Sequence, residues 1–348
     1  PTAKGRQIAT QIEDWCKERK LALSRGKTEM ILLRGSLHKE RPPKIAVGGK
    51  PVKMKDTIRY LGVHLDKGLK IDTHVRLTVN RSKIAFNNIA RNAQTNWGLK
   101  HAALRTIYRG LFVPIITYAA AGWTDLLKGH HIKRLRAAQR QALLKVTRAY
   151  RTVAHETLPV LAGELPIMLK LQQRIYSYNV RQGIPIHIGG REIATHNPSD
   201  RIEARNAIQE YLLDCWQHEW DTTPNGRTTH RFLPDVRLRL RMKWLTADHF
   251  VTQLLTGHGE FRHKLASMAM STNENCECGE QDTSTHLTFT CRLEDETRRP
   301  LTEAVRENGA DWPPRENELM QKEIFTALKK FAQEAGVARK QRRNQLQP

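Results

Sequence analysis

The sequence predicts an α+β chain: a helix and short antiparallel strands over residues 1–68, then an α-rich remainder with a small metal knuckle near its end. Three observations predict this. Short apolar runs broken by glycine give way near residue 70 to apolar residues on a 3.6-residue period. Cys276, Cys278, His286 and Cys291 spell C-x-C-x7-H-x4-C within sixteen positions. With 348 residues, 39% of them apolar, the chain is long enough to bury two or three separate cores.

In chain order, residues 6–22 place Ile8, Ile12, Trp15, Cys16 and Arg19 on a helical period. Lys27 to Leu33, KTEMILL, reads as a buried strand. Residues 43–53 read as a hairpin around Gly48 and Gly49, and Ile58 to Leu65 as a further strand. From Thr73 the pattern is helical, with Val75, Val79, Phe86, Ile89 and Ala93 on one stripe. A second apolar segment, Leu104 to Tyr118, contains Pro114, which should kink or end it. A third helix is expected from His131 to about Tyr150. Its Ile132, Leu135, Leu143 and Val146 face one way, while Lys133, Arg136 and Arg140 share another side at i, i+3, i+7 spacing. Further helices are expected around Leu165 to Val180, Ile202 to Trp220 and Trp244 to Leu265, the last running into the Gly257–Gly259 loop. The closing ARKQRRNQLQP is basic and polar and is expected to fray or be disordered.

Three thiolates and an imidazole are the donor set zinc takes in closed, structural tetrahedral sites. Gly279 stands just after the second thiol, where a left-handed turn is easiest, and Leu287 and Phe289 offer a small apolar floor. The alternatives are scattered buried thiols or a disulfide; cysteines one residue apart cannot bridge each other without strain. Cys16 and Cys215 belong to no motif, which suits a reducing compartment. The chain has no apolar run long enough to span a membrane and no signal peptide at Pro1, so a soluble intracellular protein with no membrane partner is expected.

The formal charge is +23, and residues 1–150 account for +22 of it with 31 Lys and Arg against 9 Asp and Glu. Such an excess repels itself unless a polyanion answers it, so nucleic acid is the expected partner, lying against the first half. A run of charge is usually a solvated face, but solvated faces mix signs and this one hardly does.

Three stretches then carry a resemblance: WCKERKLALSRGKTEMILL with IRYLGVHLD, LRTIYRGLFVPIITYAAAGW, and LLTGHGEFRHKL followed by the cysteine motif. In this order they resemble the back half of the reverse transcriptase of non-LTR, LINE-like retrotransposons, above all the insect type-1 elements that insert in ribosomal DNA, and the likeness covers nearly the whole chain. It implies a carboxy-terminal piece of a Pol polyprotein whose parent nicks chromosomal DNA with an endonuclease and copies element RNA from the nick.

The resemblance implies the end of a polymerase palm at 1–68, a helical thumb at 69–150, a helical connector at 151–265, the zinc knuckle at 266–299 and a basic-ended helical tail at 300–348. Lys27 matches a lysine near the incoming triphosphate, where an ammonium would assist by neutralising developing charge. Tyr60 and Gly62, with Leu61, match the primer grip, a tight hairpin. Arg76, Arg81, Lys83, Arg91, Lys100, Arg105 and Arg109, with Lys133, Arg136 and Arg140, become contacts to the phosphates of an RNA–DNA hybrid, so RNA template and DNA primer or target are the implied partners. Arg262, His263, Lys264, Arg292, Arg298 and Arg299 are the candidate contacts beside the knuckle, in surroundings that are otherwise acidic. Magnesium belongs to the parent polymerase; no Asp-Asp pair occurs here to hold it, so no bond-making is expected of this piece. The implied location is nuclear, with a cytoplasmic phase during synthesis and RNA binding. A non-enzymatic RNA-binding protein derived from such an element is the other reading. The sequence leaves the oligomeric state open.

Overall fold

The computed structural model describes residues 2–33, 44–91 and 99–345, so Ala93 of the expected stripe lies outside them. The chain is mostly helical and divides into two compact units, Pro1–Asn80 with Ala121–Arg134, and Arg81–Ala120 with Leu135–Pro348. The division runs through the segment 69–150, and it groups the connector, knuckle and tail segments in one unit.

In the first unit, α1 (Thr2–Glu18) buries Cys16 alone among its apolar period; Ile8, Ile12 and Trp15 are about half exposed. Its partner, the hairpin of β1 (Ala46–Val47) and β2 (Lys50–Pro51), is too small to cover the stripe, and Arg6 Nε reaches across only to donate to the Lys44 carbonyl at 3.2 Å. The expected strand from Lys27 to Leu33 is absent. Arg25–Lys27 is a single 3-10 turn, and Met30 makes only an isolated bridge to Met54.

The expected strand Ile58–Leu65 is instead a hairpin, β3 (Thr57–Tyr60) against β4 (Val63–Asp66), with Tyr60 opposite Val63. Leu61 at φ 45° and Gly62 at φ 85° are both left-handed, which a two-residue turn of this hand requires. Helix α2 (Asp72–Ala90) then begins. Its His74 Nδ1 accepts from the His64 backbone N–H at 3.3 Å, which ties the hairpin to it.

In the second unit, the remainder of α2 buries Ser82, Phe86 and Ala90, so the stripe keeps Val75, Val79 and Phe86 as expected but passes over Ile89, which is 44% exposed, to Ala90. Helix α3 (His101–Ile107) runs through a π turn, Tyr108–Phe112, into α4 (Val113–Thr117). Pro114 causes the irregularity: it has no N–H and crowds the carbonyl one turn back, so the preceding turn widens rather than the helix ending. The rings of Phe86, Tyr108 and Phe112 pack together, with Tyr108 and Phe112 stacked at 5.2 Å. Helix α5 (Gly129–Thr147) buries Leu135, Ala138, Leu143 and Val146 as its period demands. Gln139 is buried beside them, its amide donating to Tyr108 Oη and the Leu165 carbonyl and accepting from the Ile167 N–H.

Then follow α6 (Thr157–Ala162), α7 (Ile167–Gln182), the hairpin β5 (Ile186–Ile188) and β6 (Arg191–Ile193), and α8 (Pro198–Thr222), opened by a capping box between Asn197 and Asp200. Next come α9 (Arg227–Phe232), α10 (Val236–Arg241), α11 (His249–Thr256) and α12 (Arg262–Ala266). The expected helix from Trp244 to Leu265 is thus two helices, because Gly257 takes φ 68° and closes α11. Helices α13 (Ser284–Phe289), α14 (Asp295–Glu307) and α15 (Lys322–Gln345) complete the unit. One apolar core, from Val160 to Ala335 and centred on Trp216, Trp220, Leu255, Leu301 and Phe331, joins most of these helices.

The tail expected to be disordered is helix as far as Gln345. That segment ends α15, whose stripe of Ile324, Phe325, Leu328, Phe331, Ala332 and Ala335 seats the helix on that core.

Candidate metal knuckle and cation-bearing helices

The four motif residues converge. Cys276 and Cys278 lie on a tight turn in which the Cys276 N–H donates to the Glu280 carbonyl at 2.7 Å and Gly279 takes φ 98°. His286 lies in the first turn of α13, where Thr283 Oγ1 accepts from its backbone N–H at 3.0 Å. The Cys291 N–H donates to the His286 carbonyl at 2.8 Å just beyond that helix. All four side chains are buried, and their donor atoms lie within 4.8 Å of one another.

One sulfur pair stands at the separation of a tetrahedral site. Two sulfurs each about 2.3 Å from one zinc ion stand about 3.8 Å apart at the tetrahedral angle, and Cys276 Sγ and Cys291 Sγ are 3.8 Å apart. Cys278 Sγ and His286 Nε2 are 3.1 Å apart. The Thr290 hydroxyl lies 3.1 Å from His286 Nδ1, so a proton held there leaves the Nε2 lone pair for a metal. Burial keeps the His286 imidazole neutral by lowering its pKa. The hydrogen bond between Cys276 and Cys291 pulls the Cys291 thiol down and pushes Cys276 up, and a bound cation would displace the proton between them.

The acidic surroundings are neutralised from within the same unit. Asp282, 1% exposed, accepts Arg339 Nη2 at 2.7 Å on both oxygens, Arg343 Nη2 at 3.2 Å and the Arg262 backbone N–H at 2.9 Å. The buried Glu294 meets Arg342, and Glu277 meets Arg262 at 2.6 Å. Arg298 is itself buried, donating to the carbonyls of Leu287, Thr288 and Cys291 at the end of α13. Arg292 donates to the Cys278 carbonyl at 2.8 Å, Arg299 pairs with Glu296, and His263 Nδ1 lies 3.0 Å from Glu274. Of the six candidate contacts beside the knuckle, Arg262, His263, Arg292 and Arg298 are therefore engaged within it, Arg299 pairs only with Glu296 one turn away on the exposed face of α14, and Lys264 meets no carboxylate among the described residues. The sequence signal for the α15 clamp was present but overlooked, since Arg339 continues the same helical stripe as Phe331 and Ala335.

The remaining candidate residues separate into two groups. Arg105 Nε donates to Glu164 at 2.7 Å and its Nη2 to the Gly163 carbonyl, while Arg109 also meets Glu164, a carboxylate 3% exposed. Arg140 donates to the Arg151 and Val153 carbonyls. Arg76 and Arg81 on α2, Arg91 and Lys100 beyond it, and Lys133 and Arg136 on α5 are exposed, and Lys83 is half-buried. Among the described residues none of these seven meets a carboxylate. Tyr60 is 61% exposed at the hairpin end, and Lys27 is exposed at the end of its 3-10 turn.

A second cluster escaped the sequence analysis: His130 Nε2 and His131 Nε2 lie 2.8 and 2.9 Å from Asp72 Oδ1. The Lys128 N–H donates to His131 Nδ1, which fixes the proton on Nε2 and makes this a hydrogen-bonded clamp that holds the Asp72 carboxylate below its usual range.

The comparisons place the chain in a class, the Pol polyproteins of retrotransposable elements. The chain is 34% identical over 362 residues to a Retrovirus-related Pol polyprotein from type-1 retrotransposable element R1 4 of Nasonia vitripennis, across 98% of this chain and 91% of that one. It is 30% identical to the corresponding R1 polyprotein of Bradysia coprophila over 84% of this chain, while spanning only 30% of that relative's length. A more distant relative, 26% identical over 43% of the chain, is described as "Probable RNA-directed DNA polymerase from transposon X-element" of Drosophila melanogaster. The chain belongs to the family of type-1 retrotransposable element R1 Pol polyproteins. No protein-family model and no solved structure matches it.

Proposed function

We propose that this chain is the carboxy-terminal part of an R1-type Pol polyprotein, where it holds RNA template and DNA primer against a catalytic centre built by the preceding polymerase segment. The observation that carries this is the set of seven cations on and around α2 and α5 that meet no acid among the described residues. Their charge is left over for phosphate, and a hybrid backbone is a regular array of phosphates. Arg105, Arg109 and Arg140 serve instead to brace the second unit.

On this reading residues 1–68 are the end of a palm, with Tyr60 and Gly62 at the tip of a primer-grip hairpin and Lys27 assisting near the triphosphate. Residues 69–150 act as the thumb. The knuckle binds zinc through Cys276, Cys278, His286 and Cys291, supported by the 3.8 Å sulfur separation, and its role is architectural because its arginines are engaged internally. RNA-directed DNA synthesis and target nicking belong to the whole polyprotein, which works in the nucleus after a cytoplasmic phase of RNA binding. Magnesium acts there, not on this chain, which lacks an Asp-Asp pair.

The test is fluorescence anisotropy of a labelled RNA–DNA hybrid between 50 and 200 mM salt, ionic strengths over which six or more phosphate contacts cost about a thousandfold in affinity. Reversal of Arg76, Arg81, Lys133 and Arg136 to Glu should weaken binding and flatten the salt dependence. Unchanged affinity in that variant overturns the proposal. The chain alone should extend no primer.

A further inference from the structure

A cavity of about 550 Å³ in the second unit opens between α11, α15 and the residues just beyond α5, and none of the knuckle's four donor residues lines it. The rings of Tyr150, His249 and Phe250 form one wall in sequence, with centroids 5.4 Å apart from Tyr150 to His249 and 5.4 Å from His249 to Phe250. The floor is apolar, made by Leu254, Phe261 and Ala332. On the opposite rim α15 sets the amides of Gln341 and Asn344, with the Lys340 ammonium beside them. Gly336 shapes the slot: a Cβ there would come 2.4 Å from the Phe250 ring, so only glycine lets α15 approach α11 this closely. The one carboxylate at the mouth, Glu260, lies 3.7 Å from Arg343 and 3.4 Å from Tyr150 Oη, so its charge is answered inside the protein.

This lining selects a particular chemistry. A volume of this size suits a small planar group rather than a duplex. The rings are tilted and edge-on to one another rather than stacked, so a ring face over the apolar floor is left to accept a flat, uncharged π face, and carboxamides at the rim offer the donor and acceptor pairs that read a base edge. An ammonium beside them suits a phosphate on the same residue. Burial lowers the pKa of His249 and raises that of Tyr150 to about 12, so both rings are uncharged at neutral pH, which favours stacking.

We propose that this cavity takes one unpaired base from a single-stranded nucleic acid, stacked on the Tyr150–His249 wall and edged by Gln341 and Asn344. The inference rests on the reading of the chain as a nucleic-acid-holding segment, and it adds a single-strand site separate from the hybrid-binding cations. RNA and DNA strands share the base chemistry; the sugar distinguishes them.

The test uses the full chain and a single-stranded RNA ten-mer carrying one 2-aminopurine, whose fluorescence falls when it stacks. Wild type should quench the probe. Tyr150→Leu, which keeps apolar bulk but removes the ring, should leave it bright and lower affinity about fivefold or more, the value of one base–aromatic stack. Gln341→Ala with Asn344→Ala, two exposed positions on α15, should reduce quenching without risk to the fold. The matching DNA strand decides the source: equal quenching assigns the site to either strand, weaker quenching assigns it to RNA. RNA–DNA hybrid binding, measured in parallel, should be unchanged in all these variants. Binding without quenching in wild type, or quenching that survives in both variants, overturns the inference, whereas loss of hybrid binding in wild type would fell only the functional proposal above.

Discussion

Arg339→Met tests whether the carboxy-terminal helix is the clamp of the knuckle. In the folded chain Asp282 and Arg339 are both buried, with side chains 1% and 8% exposed, and two oxygens share one guanidinium nitrogen at 2.7 Å. Removing one partner of a buried pair leaves an uncompensated charge, at about 3–5 kcal/mol. Here Asp282 keeps Arg343 at 3.2 Å and the Arg262 N–H at 2.9 Å, so the lower end, about 3 kcal/mol, is expected. Methionine retains much of the stem that packs under the Phe261 ring, so the loss reads charge rather than volume. For a unit of this size, that should lower the midpoint of thermal unfolding by roughly 6–12 °C. The assay is paired urea and thermal unfolding with zinc present, with Lys340→Met, an exposed neighbour on the same helix, as control and expected within about 0.5 kcal/mol of wild type. Combining Arg339→Met with Asp282→Asn should recover part of the loss, because the orphaned charge is then gone. If Arg339→Met is as mild as Lys340→Met, the clamp does not hold the knuckle.

Three further outcomes follow from the same coordinates. Cys291→Ser should cut the thiolate-to-cobalt absorption of the cobalt-loaded protein by about a third yet leave most helical circular dichroism, because the core from Val160 to Ala335 is built without the four motif residues; a wholesale loss of helix would show the knuckle to be the folding nucleus of the unit. Glu164→Gln, which strips the charge from the partner of Arg105 and Arg109, should cost about 3 kcal/mol in urea unfolding, and a neutral result would return both arginines to the list of free cations. His101 is 5% exposed, its Nδ1 3.0 Å from the Val146 carbonyl, and burial lowers its pKa to about 4 from 6.5. The unfolded chain therefore binds this proton first, so stability is whole above pH 6.5 and falls as pH drops towards 4, by about 1.4 kcal/mol per pH unit. His101→Asn should flatten that slope, and an unchanged acid limb would assign the loss elsewhere.

How much of this was legible depends on how local each interaction is. The knuckle was readable because its four donor residues fall within sixteen residues, close enough in sequence to converge locally. The helices α2, α5, α7 and α8 were readable because each buries a stripe of its own sequence. What failed was longer in range or disguised. The β3–β4 hairpin hid because its turn carries Leu61, an apolar residue in a left-handed conformation that period-two reasoning takes for strand. KTEMILL looks like a strand, but an apolar run forms one only where a partner edge exists, and here that edge is a single bridge at Met54. The tail looked disordered because its arginines were counted as net charge. Their acids, Asp282 and Glu294, lie 57 and 48 residues earlier and carry no local signature.

The same long-range pairing explains the asymmetry of charge along the chain. The second half is nearly neutral because its acids and bases are matched in the folded state: Asp282 with Arg339, Glu294 with Arg342, Glu277 with Arg262. In the first half Arg105 and Arg109 draw on Glu164, which lies outside it, and what remains there has almost no acids to meet. A fold can offset self-repulsion only with the carboxylates it owns, so the excess on α2 and α5 is a standing cost of the free chain that a polyanion removes on binding. The binding free energy thus includes relief of that repulsion, and high salt should stabilise the free chain while weakening its hold on nucleic acid. Opposite responses of folding and binding to the same salt are the signature to seek. If salt destabilises the free chain, its cations are paired in solution and are not available to phosphate.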